Sequence, residues 1–193
     1  MGSLHPHIAT IILAAGDSNR FGSPKQLAHF NNKLLLQNAV DVAIASASTS
    51  VIVVLGAHEQ EIRDAIDFGN ASVLVNAEWR EGMSSSIRVG VQSILKEASA
   101  SILMVCDQPY VTSELLNSLI AQCTTARKSI VASRYGQVAG TPVLFGREYF
   151  PKLLALRGDR GARTIIERNP TETAFVLFPQ GSLDIDLPSD IQQ

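Results

Sequence analysis

The 193-residue chain carries 16 basic and 18 acidic residues, a formal net charge of −2, and is 46% apolar and 18% charged. That balance excludes a disordered chain and argues against a general nucleic-acid binder, which is usually basic, while leaving room for a local cationic site for one anion. The length suits a single domain, residues 1–193, that buries roughly two thirds of its unfolded surface without a disulfide or metal staple.

Two cysteines, Cys106 and Cys123, with no CxxC, read as reduced, mostly buried thiols. The apolar runs are strand-sized and fall short of the ~20 residues that span a bilayer, so no membrane partner is expected. "MGSLHPH" lacks the charge-then-apolar pattern of a secretory leader; residues 1–6 read as a loose N-terminus and the compartment as cytoplasm.

In chain order, "HIATIILAA" (His7–Ala15) is a near-continuous apolar run, as a strand covered on both faces requires. "LLLQNAVDVAIASA" places Leu36, Val40, Ala43 and Ala47 on one helical face. "SVIVVLG" (Ser50–Gly56) and "ASVLVN" (Ala71–Asn76) read as strands. "SSSIRVGVQSILKEA" is helical through Ile87, Val91, Ile94 and Leu95, with serines as N-caps and Lys96 in the last turn. "ASILMVCD" (Ala100–Asp107) is a strand, and "TSELLNSLIAQC" a helix capped by Thr112 or Ser113. Strands at Ser129–Tyr135, Thr141–Gly146 and Thr173–Pro179 follow, with short helices at "EYFPKLLAL" and "GARTIIER". This alternation implies right-handed crossovers and a three-layer α/β fold, Rossmann-like, on a mostly parallel sheet. Ligands of such sheets bind outside the carboxyl ends of the strands, which selects Gly16, Asn76 and Asp107.

After the first strand the chain reads "GDSNRFGSPK". Small residues admit a ligand close to the backbone, turn N–H groups make an anion site, and Arg20 and Lys25 supply cations. Neither a dinucleotide fingerprint nor a Walker loop is present. Composition alone leaves a phosphate cradle and a plain surface turn equally open.

"LAAGDSNRFGSPKQL" resembles the LAAGxSxRMGxPKxL signature of the molybdenum cofactor nucleotidyltransferases, with Phe21 in place of methionine. "NAEWREGMSSSIRVGV", "CDQPYV", "GDRGAR" and "DIDLPSD" resemble further segments of that family, in its order. The departures are Cys106 for glycine, Leu187 for threonine and Ser189 for glutamate.

The resemblance implies the nucleotide-diphosphosugar transferase type of fold. It also implies transfer of CMP from CTP to the phosphate of a molybdopterin-type acceptor, with release of pyrophosphate. The acceptor brings its own nucleophile, so the protein has to position groups and neutralise charge. Arg20, Lys25 and Asp107 are then the catalytic candidates. Leu13, Ala14, Ala15, Gly16, Arg20, Lys25, Asn76, Ser84 and Ser86 are the nucleotide-binding ones. Asp107 and Asp186 would hold Mg²⁺.

Plain structural readings stand beside these. Asp107 also fits a helix N-cap, Asp186 a surface turn, Ser84 and Ser86 helix capping, and Trp79 simple core. Arg160 and Arg163 suggest a second anion site for the acceptor, or else solvated loop arginines. Ala15, where the guanylyl-transferring branch of the family tends to carry glycine, favours CTP; a methyl discriminates by only ~1–3 kcal/mol. Three alternatives remain: guanylyl transfer, a sugar or polyol phosphate acceptor, and a non-catalytic carrier that hands the cofactor to a molybdenum hydroxylase. The four histidines do not cluster.

Overall fold

The computed structural model describes residues 7–192; the loose-terminus expectation for residues 1–6 lies outside them. The elements in chain order are β1 (Ile8–Ala14), β2 (His29–Phe30), β3 (Lys33–Leu34), α1 (Leu35–Ala45), β4 (Ser50–Leu55), α2 (Glu59–Ala65), β5 (Ser72–Val75), α3 (Met83–Ile94) and β6 (Ala100–Val105). Then come α4 (Ser113–Ala126), β7 (Ile130–Tyr135), β8 (Val138–Gly146), α5 (Phe150–Leu154), α6 (Arg163–Arg168) and β9 (Thr173–Leu177).

Seven strands form one sheet in the order β5-β4-β1-β6-β8-β7-β9, and β2 and β3 make a separate small ribbon. All pairings in the large sheet are parallel except those of β8, which runs antiparallel to β6 and β7. Every residue of β1 is buried, because helices cover both of its faces. Ile8, Ile12 and Ala14 join Leu36, Val40, Leu116 and Leu119 in one layer. Ala9, Ile11 and Leu13 join Ile87, Val91, Phe150 and Ile165 in the other. Alternate side chains of one strand thus feed two cores, the expected pattern for a central strand of a doubly covered sheet.

Three details depart from the sequence reading. Ala47 lies past the end of α1 and is exposed, because Ser46 leaves the helix in an extended conformation. The α3 N-cap is Gly82, whose φ of +106° few side chains tolerate, and Ser84, Ser85 and Ser86 are buried inside the helix; Lys96 falls beyond its last turn. Thr112, by contrast, does cap α4, its side chain accepting from the Leu115 N–H at 3.2 Å.

The parallel strands β1, β4, β5 and β6 all point their carboxyl ends at one edge of the sheet. The segments that follow them carry Gly16, Gly56, Asn76 and Asp107 to that edge.

Candidate active site

Between Gly16 and Pro24 the chain folds back on itself. Ser18 takes a left-handed conformation (φ 57°), and its carbonyl accepts from the N–H groups of Phe21 (2.8 Å) and Gly22 (3.2 Å). The Ser18 hydroxyl accepts from the Lys25 N–H at 3.1 Å. Gln26, only 3% exposed, donates its amide to the carbonyls of Ala14 (2.9 Å) and Gly16 (2.8 Å). That side chain staples the far end of the loop to the strand that launched it. A Cβ built on Gly16 would meet no protein atom within 4 Å, so the loop leaves room for a ligand against its backbone.

At the other end of the site, the C-terminal segment lies along the mouth of β6. The Ile185 N–H donates to the Asp107 carbonyl at 2.9 Å. The Asp190 carboxylate accepts from the N–H groups of Asp186 (2.9 Å) and Leu187 (2.8 Å). This turn holds the Asp186 carboxylate over the sheet edge beside Asp107.

Lys25 connects the two ends. Its ammonium donates to Asp107 Oδ2 at 2.7 Å and to Asp186 Oδ1 at 2.9 Å. Burial opposes the Lys25 charge, but the adjacent Asp107 carboxylate and the hydrogen bonds to both aspartates outweigh it and lift the pKa above the ordinary lysine value. The bond from Lys25 in turn holds the Asp186 carboxyl below the usual range. Arg20, 78% exposed, reaches Asp186 Oδ2 only at 3.7 Å. It is an exposed outer cation, where Lys25 is a mostly buried, doubly bonded inner one.

Two adjoining clefts open on this edge. One, of about 420 Å³, is lined by Leu13, Ala14, Gly16, Arg20, Lys25, Asp107 and Asp186 among others. The second, of about 560 Å³, is lined by Ala15, Gly16, Trp79, Gly82, Ser86 and Asp159 among others. The first gathers cations and carboxylates; the second offers an indole ring, a hydroxyl and small residues, a surface suited to a base and ribose.

Of the nucleotide-binding candidates, Leu13, Ala14, Ala15, Gly16, Arg20, Lys25 and Ser86 line these clefts. Asn76 and Ser84 stand behind the wall. Asn76 is 2% exposed; its amide donates to Ser85 (2.7 Å) and Ser86 (3.0 Å) and accepts from the Glu78 N–H (3.0 Å). Ser84 gives both its N–H and its hydroxyl to the Gly158 carbonyl, at 3.2 and 2.6 Å.

The arginine pair is split. Arg160 lines a different cleft, beside α6, while Arg163 pairs with Glu167 at 2.9 Å. The Arg163 charge also acts on Tyr135, whose hydroxyl burial raises above the usual phenol range, with Asp184 adding to the rise and Arg163 opposing it.

Gln26 and Asp190 brace the site and Asp159 lines its clefts, three placements that the sequence reading passed over. A glutamine directly after the cationic end of a loop was the available signal for the first. Trp79, read as core, is half-buried and lines the cleft, with the Arg80 guanidinium 4.3 Å above its ring.

Residues 10–173 match the family described as "MobA-like NTP transferase domain". The chain belongs to this family. Among its relatives, nicotine blue oxidoreductase of Paenarthrobacter nicotinovorans is 25% identical over 86% of this chain and 84% of its own. Purine catabolism protein PucB of Bacillus subtilis (strain 168) is 25% identical over 94% and 91%. A protein named "Probable molybdenum cofactor guanylyltransferase" from Geobacillus sp. (strain WCH70) is 27% identical over 79% and 78%.

Among solved structures, Rv0371c from Mycobacterium tuberculosis H37Rv superposes with a TM-score of 0.84 at 28% identity, covering 97% of this chain and 96% of that one. A structure of that protein in complex with manganese gives 0.81 at 27%, covering 96% of each. The fold shared with these structures therefore extends across nearly the whole chain. No helix among the described residues is long and apolar enough to cross a membrane.

Proposed function

We propose that this MobA-like domain transfers a cytidylyl group from CTP to the phosphate of a molybdopterin-type acceptor. The observation that carries the reading is the Lys25 ammonium held between Asp107 and Asp186 at the mouth of the phosphate-sized cleft. An acceptor phosphate oxygen attacks the α-phosphorus of the nucleotide. One P–O bond forms, the bond to the β-phosphate bridging oxygen breaks, and pyrophosphate leaves with the negative charge.

The residues fit a divalent cation. Asp107 Oδ1 is buried without a hydrogen-bond partner among the described residues, and two carboxylates converge here. Asp107 and Asp186 would hold Mg²⁺, a hard cation that takes few protein ligands and fills its sphere with phosphate and water oxygens. When bound, the ion polarises the phosphates and offsets the charge that develops on them. The manganese-bound relative supports a divalent requirement.

Lys25 and Arg20 answer the same charge from the protein side. Lys25, preorganised and mostly desolvated, is suited to the β- and γ-phosphates; Arg20 closes from solvent. Backbone N–H groups around Gly16 approach the triphosphate. Trp79, Ala15 and Ser86 face the base and ribose. Arg163, held by Glu167 at 2.9 Å, is the candidate for meeting the acceptor phosphate.

The test is pyrophosphate release with Mg²⁺, each nucleoside triphosphate and the pterin acceptor. Turnover with CTP is expected; turnover with GTP alone rejects the base assignment. Guanylyl transfer is the second reading, favoured by the name of the Geobacillus relative. Phosphorylated sugars and polyols in the same assay separate the acceptor classes. Pterin binding without any pyrophosphate release would point to a carrier for a molybdenum hydroxylase.

A further inference from the structure

A third cleft, of about 800 Å³, lies between α5 and α6 on the far side of the loop 156–160. Its volume falls within the range of small-molecule sites. Four cations line it (Lys152, Arg157, Arg160 and Arg168), and no Asp or Glu is among its lining residues. The protein as a whole has more acidic than basic residues. Like charges gathered in one concavity repel and focus a positive potential.

None of the four forms an ion pair among the described residues. Arg157 is held by neutral acceptors, donating to the carbonyls of Leu154 (2.9 Å) and Leu156 (2.7 Å). Lys152 donates to the Asn169 side chain at 3.0 Å. Arg160 and Arg168 have no hydrogen-bond partner there at all. The neighbouring basic residue of the same helix, Arg163, is by contrast paired with Glu167. Leu156, Ile165 and Ala155 add an apolar part to the lining.

We infer that this cleft binds a small oligoanion, a molecule carrying two or more phosphate or carboxylate groups, at a site separate from the nucleotide clefts. Two held cations and two unpartnered ones fit two anionic groups at once, and guanidinium forks donate to such groups bidentately. The loop is a partition: Gly158 and Arg160 face this cleft, whereas Asp159 faces the nucleotide clefts. The same Gly158 carbonyl anchors Ser84 at the start of α3. The inference goes beyond the transferase reading, and only the Trp79 control of its test rests on that reading.

Arginine Nε–Hε signals of the intact protein, followed by NMR during titration with tripolyphosphate and, separately, citrate, test it. Saturable shifts of Arg160 and Arg168 with either oligoanion are expected, and they persist in Lys25→Ala, which removes the inner cation of the nucleotide clefts and leaves this cleft intact. Arg168→Glu, which places a carboxylate among the remaining cations, weakens that affinity by about tenfold or more, and Arg168→Gln by less. Trp79 fluorescence, reporting the nucleotide cleft, keeps its nucleotide titration curve in both variants, which also shows that they are folded. Shifts that grow without saturating, that vanish in Lys25→Ala, or that survive Arg168→Glu unchanged would overturn the inference.

Discussion

Lys25 sits where two carboxylates converge and competes with any divalent ion for their oxygens. Lys25→Ala therefore separates two roles. Under the transferase reading, pyrophosphate release falls ~10²–10³-fold, the scale of losing one preorganised charge-stabilising donor. Mn²⁺ binding to the nucleotide-free protein, followed by electron paramagnetic resonance, becomes tighter because Asp107 and Asp186 lose their internal counter-ion. Unchanged Mn²⁺ affinity would mean that the ammonium and the metal use different oxygens. Gln26 acts one residue further along. Gln26→Leu deletes two amide bonds to strand-end carbonyls and leaves Ala14 O and Gly16 O without that donor. A loss of about 1–3 kcal/mol in urea denaturation is expected; a stability within ~0.5 kcal/mol of wild type would show that the staple is not needed. Lys25 was picked out in the sequence by the resemblance of "LAAGDSNRFGSPKQL" to a family signature, since the loop's composition alone left a phosphate cradle and a plain turn equally open. Gln26 was not, since a glutamine carries no periodic signal and its burial depends on a loop whose path only tertiary structure fixes.

The elements read best where burial alone decides them. β1, β4 and β6 are apolar on both faces, and their runs announced themselves. The helix α2 has only Ile62 buried among seven residues, so its pattern was too weak to read. The direction of β8 depended on a different kind of signal. Gly136 and Gln137 turn tightly between β7 and β8, with Gly136 at φ +60°, so the two strands form a hairpin instead of a crossover. The sequence reading began this strand at Thr141, whereas β8 starts at Val138, because the turn pair and the small residues Ala139 and Gly140 carry no apolar signal. Packing between elements explains one further glycine. A Cβ on Gly90 would lie 2.6 Å from Ile11 Cγ2, so α3 rests directly on the central strand. Gly90→Ala gains helix propensity worth up to ~1 kcal/mol but forces this contact apart. Overpacking of a core at ~1–3 kcal/mol outweighs it, and the melting temperature should fall. A rise in melting temperature would place α3 further from β1. The same seating carries Ser86 to the cleft, so the glycine is an indirect condition of the site geometry.

At the scale of the molecule, the site edge stores its ionisable groups in a way that makes alkaline pH the vulnerable side. Cys106, where the resembling family has glycine, is buried next to the Asp107 carboxylate. Burial first, and Asp107 second, push its thiol up to about 12, against the pull of Lys25. An unfolded cysteine ionises near ~8.5. Above that pH the unfolded chain releases a proton that the folded chain retains, so stability falls as pH rises. One such group lowers it by ~1.4 kcal/mol per pH unit until the folded thiol itself titrates. Lys25 acts with the same sign from a higher pH. Its folded pKa is raised, so the unfolded chain again gives up its proton first, and the contribution that is complete below the unfolded lysine value of ~10.4 is lost as pH climbs through the folded one. Urea denaturation at pH 7.5, 9 and 10.5 should show a stability that is level at first and then declines. Cys106→Ala removes the thiol and keeps a small apolar group beneath Asp107, so the decline from ~9 to ~10.4 should flatten. If the two proteins fall in parallel across that window, the proton is not held at Cys106 and the neighbourhood of Asp107 is wetter than its packing implies.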